Sequence, residues 1–220
     1  MPRMKYYIWD LVQQVLGAPG FKKQLYRSVL GPPGRLLDFG CATGHLADVF
    51  ADFDYYGVDI DPAAVEMAKR HFPSRDSGHL LNVDISSRPF QADFFDDILF
   101  ACTVHHLDDP TLKMILKELH FCLKPGRSIH LLDPVLQDTD GWQQKLMRRI
   151  DRGRYPRTVS QIEAAVSSLN LFQLSMPVLH TPYGAAFQDC DFVYFELRKT
   201  PVETVGLLGR DGTGPAHGHR

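Results

Sequence analysis

The stretch Leu36-Leu37-Asp38-Phe39-Gly40-Cys41-Ala42-Thr43-Gly44-His45-Leu46-Ala47 decides the fold. An apolar run ends in a glycine turn, and an amphipathic segment at 45–51 follows. That order predicts a strand, a tight turn and a helix. Gly40 and Gly44 let the chain bend sharply and let a ligand approach the main chain. The helix start behind them would offer unpaired N–H groups. In a dinucleotide enzyme that place holds a pyrophosphate. Here the third glycine of such a loop falls at His45 and the second is Ala42. A pyrophosphate would be crowded, which weakens a nicotinamide-cofactor reading.

Outward from this stretch, apolar runs alternate with amphipathic segments. Runs at 35–39, 55–58, 80–83, 97–102 and 128–132 read as strands. Segments at 45–51, 62–72, 110–122 and 158–168 read as helices. Such alternation means a parallel sheet covered on both faces. Residues 171–178 and 192–197 are two apolar runs with no helix between them, which predicts a closing antiparallel pair. Residues 3–30 read as helix interrupted at Gly17-Ala18-Pro19-Gly20. The expected domains are a helical cap at 1–34, a main domain at 35–198 with a helical lid at 137–157, and a disordered tail at 199–220. The tail is rich in Gly and Pro, and its His217 and His219 read as solvated.

Bulk properties narrow the class. The chain has 220 residues, 44% of them hydrophobic, and a net charge of -2. A single α/β domain fits, and a globally basic nucleic-acid binder does not. No signal peptide and no membrane-spanning stretch is visible. Cys41, Cys102, Cys122 and Cys190 form no CxxC pair, so they read as reduced thiols in the cytoplasm.

Acids at strand ends supply the next signal. Asp59 ends the second strand about 20 residues beyond Gly40, where a carboxylate can accept from a ribose diol. Asp61-Pro62 reads as a helix start, with Asp61 as N-cap.

The pattern acid-x-Gly-x-(Ala)-x-Gly at 38–44 resembles motif I of class I S-adenosylmethionine-dependent methyltransferases. So do the strand-end acids and the order of elements across 35–133. The resemblance implies a Rossmann-like fold: a mostly parallel seven-stranded sheet with an antiparallel C-terminal strand and helices on both faces. It also implies S-adenosyl-L-methionine as cofactor. Asp38 would help hold its amino group, with Gly40, Ala42 and Gly44 lining the loop. Asp59 would take the ribose and Ile60 the adenine face. Asp84 and the Ile85 N–H would meet the adenine edge, and Ala101, at the end of the fourth strand, would bind the cofactor.

The acceptor is read from what remains. His105 and His106 follow the fourth strand, where ligands sit in such sheets, and histidine titrates near neutrality. Either could take a proton, His105 first, while one of the pair caps the next helix. No Asn-Pro-Pro-aromatic motif follows that strand, against nucleobase amino-methylation, and no metal-binding acids stand there, so no metal is expected. Residues 141–157 hold Lys145, Arg148, Arg149, Arg152, Arg154 and Arg157 against one acid, Asp151. Trp142, Leu146 and Ile150 mark one apolar helix face. Trp142, Arg149 and Arg154 are therefore the candidates for gripping a small, anionic acceptor methylated at O or C. Two other readings stay open: an RNA or protein methyltransferase using the basic segment, and a methyltransferase-like partner without activity. Oligomeric state is not readable.

Overall fold

The computed structural model describes residues 18–72, 79–151, 153–181 and 191–200. The expectations for 3–17, for Cys190, for His217 and His219 and for the tail beyond Thr200 lie outside the described residues. So do those for the side chains of Arg148, Ile150 and Arg152.

Five parallel strands form the centre: β1 (Arg35–Phe39), β2 (Asp54–Asp59), β3 (Leu80–Asn82), β4 (Phe95–Ala101) and β5 (Leu123–Pro134). β6 (Phe172–Leu174), β7 (Val178–His180) and β8 (Phe192–Lys199) complete an eight-stranded sheet. The order is β3-β2-β1-β4-β5-β8-β6, with β7 also on β8. β8 runs antiparallel to β5, β6 and β7. The chain leaves β1 outward through β2 and β3, then returns to the other side of β1 with β4. The carboxyl ends of β1 and β4 therefore flank the switch point, the place where open α/β sheets bind ligands.

Successive residues of a strand face opposite sides, so each strand feeds two cores. Leu37, Ile98, Phe100, Ile129 and Leu131 pack on one side with Ile115, Leu116 and Leu119 of a helix at Asp109–Cys122. Ile162 and Val166 of the helix Val159–Ser167 join them. Leu36, Leu99 and Leu132 face the other side, under Leu25 and Tyr26 of the helix Ala18–Val29 and Val65 and Ala68 of the helix Pro62–His71.

Several elements differ from the sequence reading. The interruption expected at Gly17–Gly20 falls partly outside the described residues, and the helix Ala18–Val29 takes Pro19 and Gly20 into its first turn. The helix expected at 45–51 is instead a run of turns: Ala47 N–H donates to Gly44 and Val49 N–H to Leu46, three residues back. β5 begins at Leu123, earlier than expected, and carries its Pro125-Gly126 segment as a bulge where the register with β4 shifts. The run at 171–178 splits in two around Ser175-Met176-Pro177, because Pro177 has no N–H to give a ladder. β8 continues to Lys199, whose buried ammonium reaches Asp93 and the carbonyls of His120 and Leu123.

The helix expected to form the lid spans Trp142–Asp151. Its expected apolar face is not covered: Trp142 is 69% and Leu146 47% exposed. Of the six cations, Arg157 is buried and cannot meet an acceptor. Its guanidinium donates to the carbonyls of Val104, Leu107 and Tyr155 and to Asp109 at 2.6 Å. It thereby pins the end of the lid to the loop after β4. Arg157→Met should lower stability by about 2–3 kcal/mol, since it strands carbonyls that now receive charged donors. A urea midpoint equal to wild type at equal slope would overturn the clamp.

Candidate cofactor and acceptor site

The turn after β1 is shaped by three left-handed residues: Gly40 (φ 76°), Ala42 (φ 47°) and Gly44 (φ 80°). A Cβ on Gly40 would collide with the Thr103 hydroxyl, and one on Gly44 would lie 3.0 Å from the Ala68 methyl. The turn is held from β2. Gly40 and Cys41 N–H both donate to the Val58 carbonyl, and Ala42 N–H donates to Asp59 Oδ2 at 3.0 Å. Asp61 N–H donates to Asp59 Oδ1 at 2.8 Å. Asp59 thus joins two loops, and each oxygen keeps a second lone pair for a diol. Burial raises its pKa, against the Asp61 and Ala42 N–H bonds that lower it. Asp61 caps the helix behind it through Ala63 N–H, with Pro62 in the first turn. Ile60, between the two acids, is 71% exposed.

Asp38 lies at the end of β1, fully buried, and accepts from the Tyr55 hydroxyl at 2.6 Å. Burial pushes its pKa up to about 6, while the Tyr55 bond opposes the shift. Lys22 and His45 lower it, and Asp59 raises it. Asp84 stands exposed beyond β3 and caps a 3₁₀ turn at Ile85–Ser87 by accepting from Ser86 N–H at 2.9 Å. That bond lowers its pKa. Ile85 packs its side chain into the core below.

β4 ends in a kink. The Ala101 carbonyl accepts from the Thr103 hydroxyl, and Cys102 is left-handed at φ 51° with its N–H on Leu132. The chain then makes a 3₁₀ turn, Val104–His106. Asp133, at the end of β5, holds this turn. Its carboxylate is 1% exposed and accepts from Val104 N–H and His105 N–H, both at 3.1 Å. The same carboxylate lies 3.0 Å from His105 Nδ1. The sequence reading ended that strand at Leu132 and missed Asp133. The signal available was an acid directly after a buried apolar run, as at Asp59.

The two histidines part company here. His105 is buried, its carbonyl accepts from Tyr155 N–H, and a Cβ on Gly153 would overlap its ring. His106 is exposed. Neither caps the following helix, because Asp108 does so through Thr111 N–H at 2.9 Å. His106, Leu107, Asp108, Thr111, Arg154 and Tyr155 line an open hollow of about 330 Å³. Arg154 is thus placed at the loop after β4. Arg149 is exposed on the lid helix, as is Trp142. Among the described residues no three His, Cys, Asp or Glu side chains gather to hold a metal ion. No described helix is long and apolar enough to cross a membrane.

Ala42 carries a side chain in a backbone state that costs an L-residue about 1–2 kcal/mol. Ala42→Gly relieves that strain but loosens the unfolded chain by about 0.5–1 kcal/mol. The variant should gain up to about 1 kcal/mol in urea unfolding, and a loss of that size would show that the methyl group packs instead.

Comparison with known proteins agrees with this architecture. The methyltransferase-domain family matches residues 6–172. A malonyl-[acyl-carrier protein] O-methyltransferase of Legionella pneumophila is 30% identical over 113 residues, 50% of this chain and 38% of that protein. The match therefore spans well under half of that relative. An S-adenosylmethionine-dependent methyltransferase from Archaeoglobus fulgidus superposes with a TM-score of 0.68 at 14% identity, covering 88% of this chain and 99% of that one. Haemonchus contortus phosphoethanolamine N-methyltransferase 2, solved with S-adenosylhomocysteine, gives 0.61 at 16% identity over 80% of this chain and 52% of that one. With a Rossmann-like sheet, a glycine turn at its switch point and a family match over most of its length, the chain belongs to the class I S-adenosylmethionine-dependent methyltransferases.

Proposed function

We propose that this enzyme methylates an O or C atom of a small or medium-sized metabolite bearing an anionic group. The observation that carries the reading is the hollow beside the end of β4, which pairs an exposed histidine with an arginine. Its size suits a small acceptor. Arginine grips carboxylates and phosphates bidentately, which fixes an acceptor for in-line attack. The Legionella relative is named for an acceptor whose malonyl group bears a carboxylate, the same chemical class.

When bound, S-adenosylmethionine would supply an electrophilic methyl group to the acceptor, with S-adenosylhomocysteine and a proton as the by-products. The chain's own groups divide the remaining work. Gly40, Ala42 and Gly44 give the ligand access to main chain. Asp38 would hold its ammonium, Asp59 its ribose and Ile60 its adenine face. Asp84 and the Ile85 N–H would meet the adenine edge, and Ala101 would line the cofactor site. His106 takes the acceptor's proton, since His105 is sealed against Asp133 in this conformation. Arg154 holds the anion, with Arg149 and Trp142 joining it from the 137–157 lid. The segment 1–34 is read as a helical cap, and its described part, the helix Ala18–Val29, joins Leu36, Leu99 and Leu132 in one buried cluster on the sheet.

The Asp38 assignment sets a pH dependence. A folded pKa of about 6, above the ordinary 3.8, means the free fold prefers the protonated acid. That preference is complete below the ordinary value and is lost as pH rises through 6. A ligand ammonium needs the ionised acid. S-adenosylhomocysteine should therefore bind more weakly as pH falls from 7 to 5, by at most about tenfold per unit below 6. Calorimetry should find the slope abolished in Asp38→Asn, and a flat wild-type profile would remove Asp38 from the site.

The acceptor reading is tested with methyl-labelled S-adenosylmethionine and a panel of small carboxylates and phosphates, their neutral esters, tRNA and a protein pool. Label should enter small anionic acceptors. Arg154→Glu should raise their KM by about tenfold or more, the loss of a charged hydrogen bond, with cofactor affinity unchanged. Label confined to tRNA or protein would overturn the proposal.

A further inference from the structure

The helix Ala18–Val29 carries a polar group that neither the fold nor the assigned roles use. Tyr26 is 0% exposed, and its hydroxyl has no hydrogen-bond partner among the described residues. It belongs to the buried cluster that holds Leu36 of β1, Leu99 of β4, Leu132 of β5 and Tyr194 of β8. That cluster lies on the sheet face that Asp38 shares with Leu36. The groups acting electrostatically on the phenol are Cys102, Asp38, Tyr194 and Asp133. Cys102, Asp38 and Asp133 stand at the carboxyl ends of β4, β1 and β5, and Tyr194 lies opposite Leu132. A phenylalanine would fill the same volume without burying an unpaired hydroxyl. A hydroxyl kept there points to a partner that arrives with a ligand.

We propose that the Tyr26 hydroxyl is a ligand-binding donor, giving its hydrogen bond to the carboxylate of the amino-acid end of S-adenosylmethionine. This rests on the cofactor assignment above. The amino-acid end is a zwitterion and needs two unlike partners. Asp38 is an acid and suits the ammonium. The carboxylate would be repelled by a further acid and needs a neutral donor. Tyr26 is such a donor, because burial first and the neighbouring acids second hold its proton firmly, raising its pKa well above the ordinary value.

The test uses full-length wild type and Tyr26→Phe, titrated calorimetrically with S-adenosylhomocysteine and with 5′-methylthioadenosine, which lacks the amino-acid end. The melting temperature of each ligand-free protein is measured alongside. The expected result is a Kd for S-adenosylhomocysteine raised about tenfold, the loss of one hydrogen bond to a charged group. Affinity for 5′-methylthioadenosine should not change, and the ligand-free variant should melt no lower than wild type. Unchanged S-adenosylhomocysteine affinity, with wild type binding both ligands, overturns the proposal alone. Equal weakening of both ligands together with a lowered melting temperature overturns it too, showing that the hydroxyl serves packing. A wild-type protein that binds neither ligand overturns the cofactor assignment and the proposal with it.

Discussion

Loops that cross the carboxyl ends of a parallel sheet carry backbone N–H groups into a place largely shut from water, and each needs an acceptor. In this protein strand-end carboxylates meet that demand. Asp59 takes the N–H groups of Ala42 and Asp61, and so sets the glycine turn against the entry to the next helix. Asp133 takes those of Val104 and His105 and fixes the loop after β4. The glycine turn and the loop after β4 both hang from these two anchors. They sit on β2 and β5, on either side of the switch point, so the mouth between them has two independently fixed walls.

The same economy concentrates negative charge. Asp38 and Asp59 end neighbouring strands, Asp59 raises the pKa of Asp38, and burial carries it up to about 6. Burying acids this close together is unfavourable for the empty fold. A guest bearing positive charge reverses the sign of that term. S-adenosylmethionine carries two such charges, the sulfonium and the ammonium, against a single carboxylate, and so is net positive. A neutral or anionic nucleotide would leave the repulsion uncompensated. The electrostatics therefore favour the cofactor class on grounds separate from the glycine pattern, which alone is shared by many αβ turns.

Sequence periodicity revealed the sheet, the switch point and the Asp61-Pro62 cap, because each depends on local chemistry and strand-helix alternation. It failed where a tertiary partner decides. The 45–51 segment has helical spacing, yet the left-handed Gly44 and tight i−3 bonds take it into successive turns. Arg157 is indistinguishable in sequence from the five cations before it. Only the carbonyls of Val104 and Leu107 nearby make it a clamp. Trp142 and Leu146 show the i, i+4 spacing of a buried face, but periodicity never names what covers a face, and here it is exposed. Asp133 was legible in principle by the logic that found Asp59. It was passed over because its partners are main-chain groups nearly thirty residues away.

His105 and His106 show how little residue type says about role. They are adjacent, and a 3₁₀ turn sends neighbouring side chains about 120° apart. One side of the turn faces Asp133 and the other faces the hollow. Asp133 needs its hydrogen bonds from the backbone regardless of the ring, so the ring of His105 adds orientation to an anchor that already exists. Its edge then becomes the surface on which the lid lands, at Gly153 and Tyr155, with Arg157 locking the landing from beneath. Glycine at 153 allows that contact, since any Cβ there would drive the lid off the ring. The buried histidine therefore holds the 153–155 segment through Gly153 and Tyr155, which brings Arg154 to the hollow that His106 lines. His106, proposed to take the proton, and Arg154, proposed to hold the anion, line one hollow because His106 adjoins His105 and Arg154 stands between Gly153 and Tyr155, both seated on it.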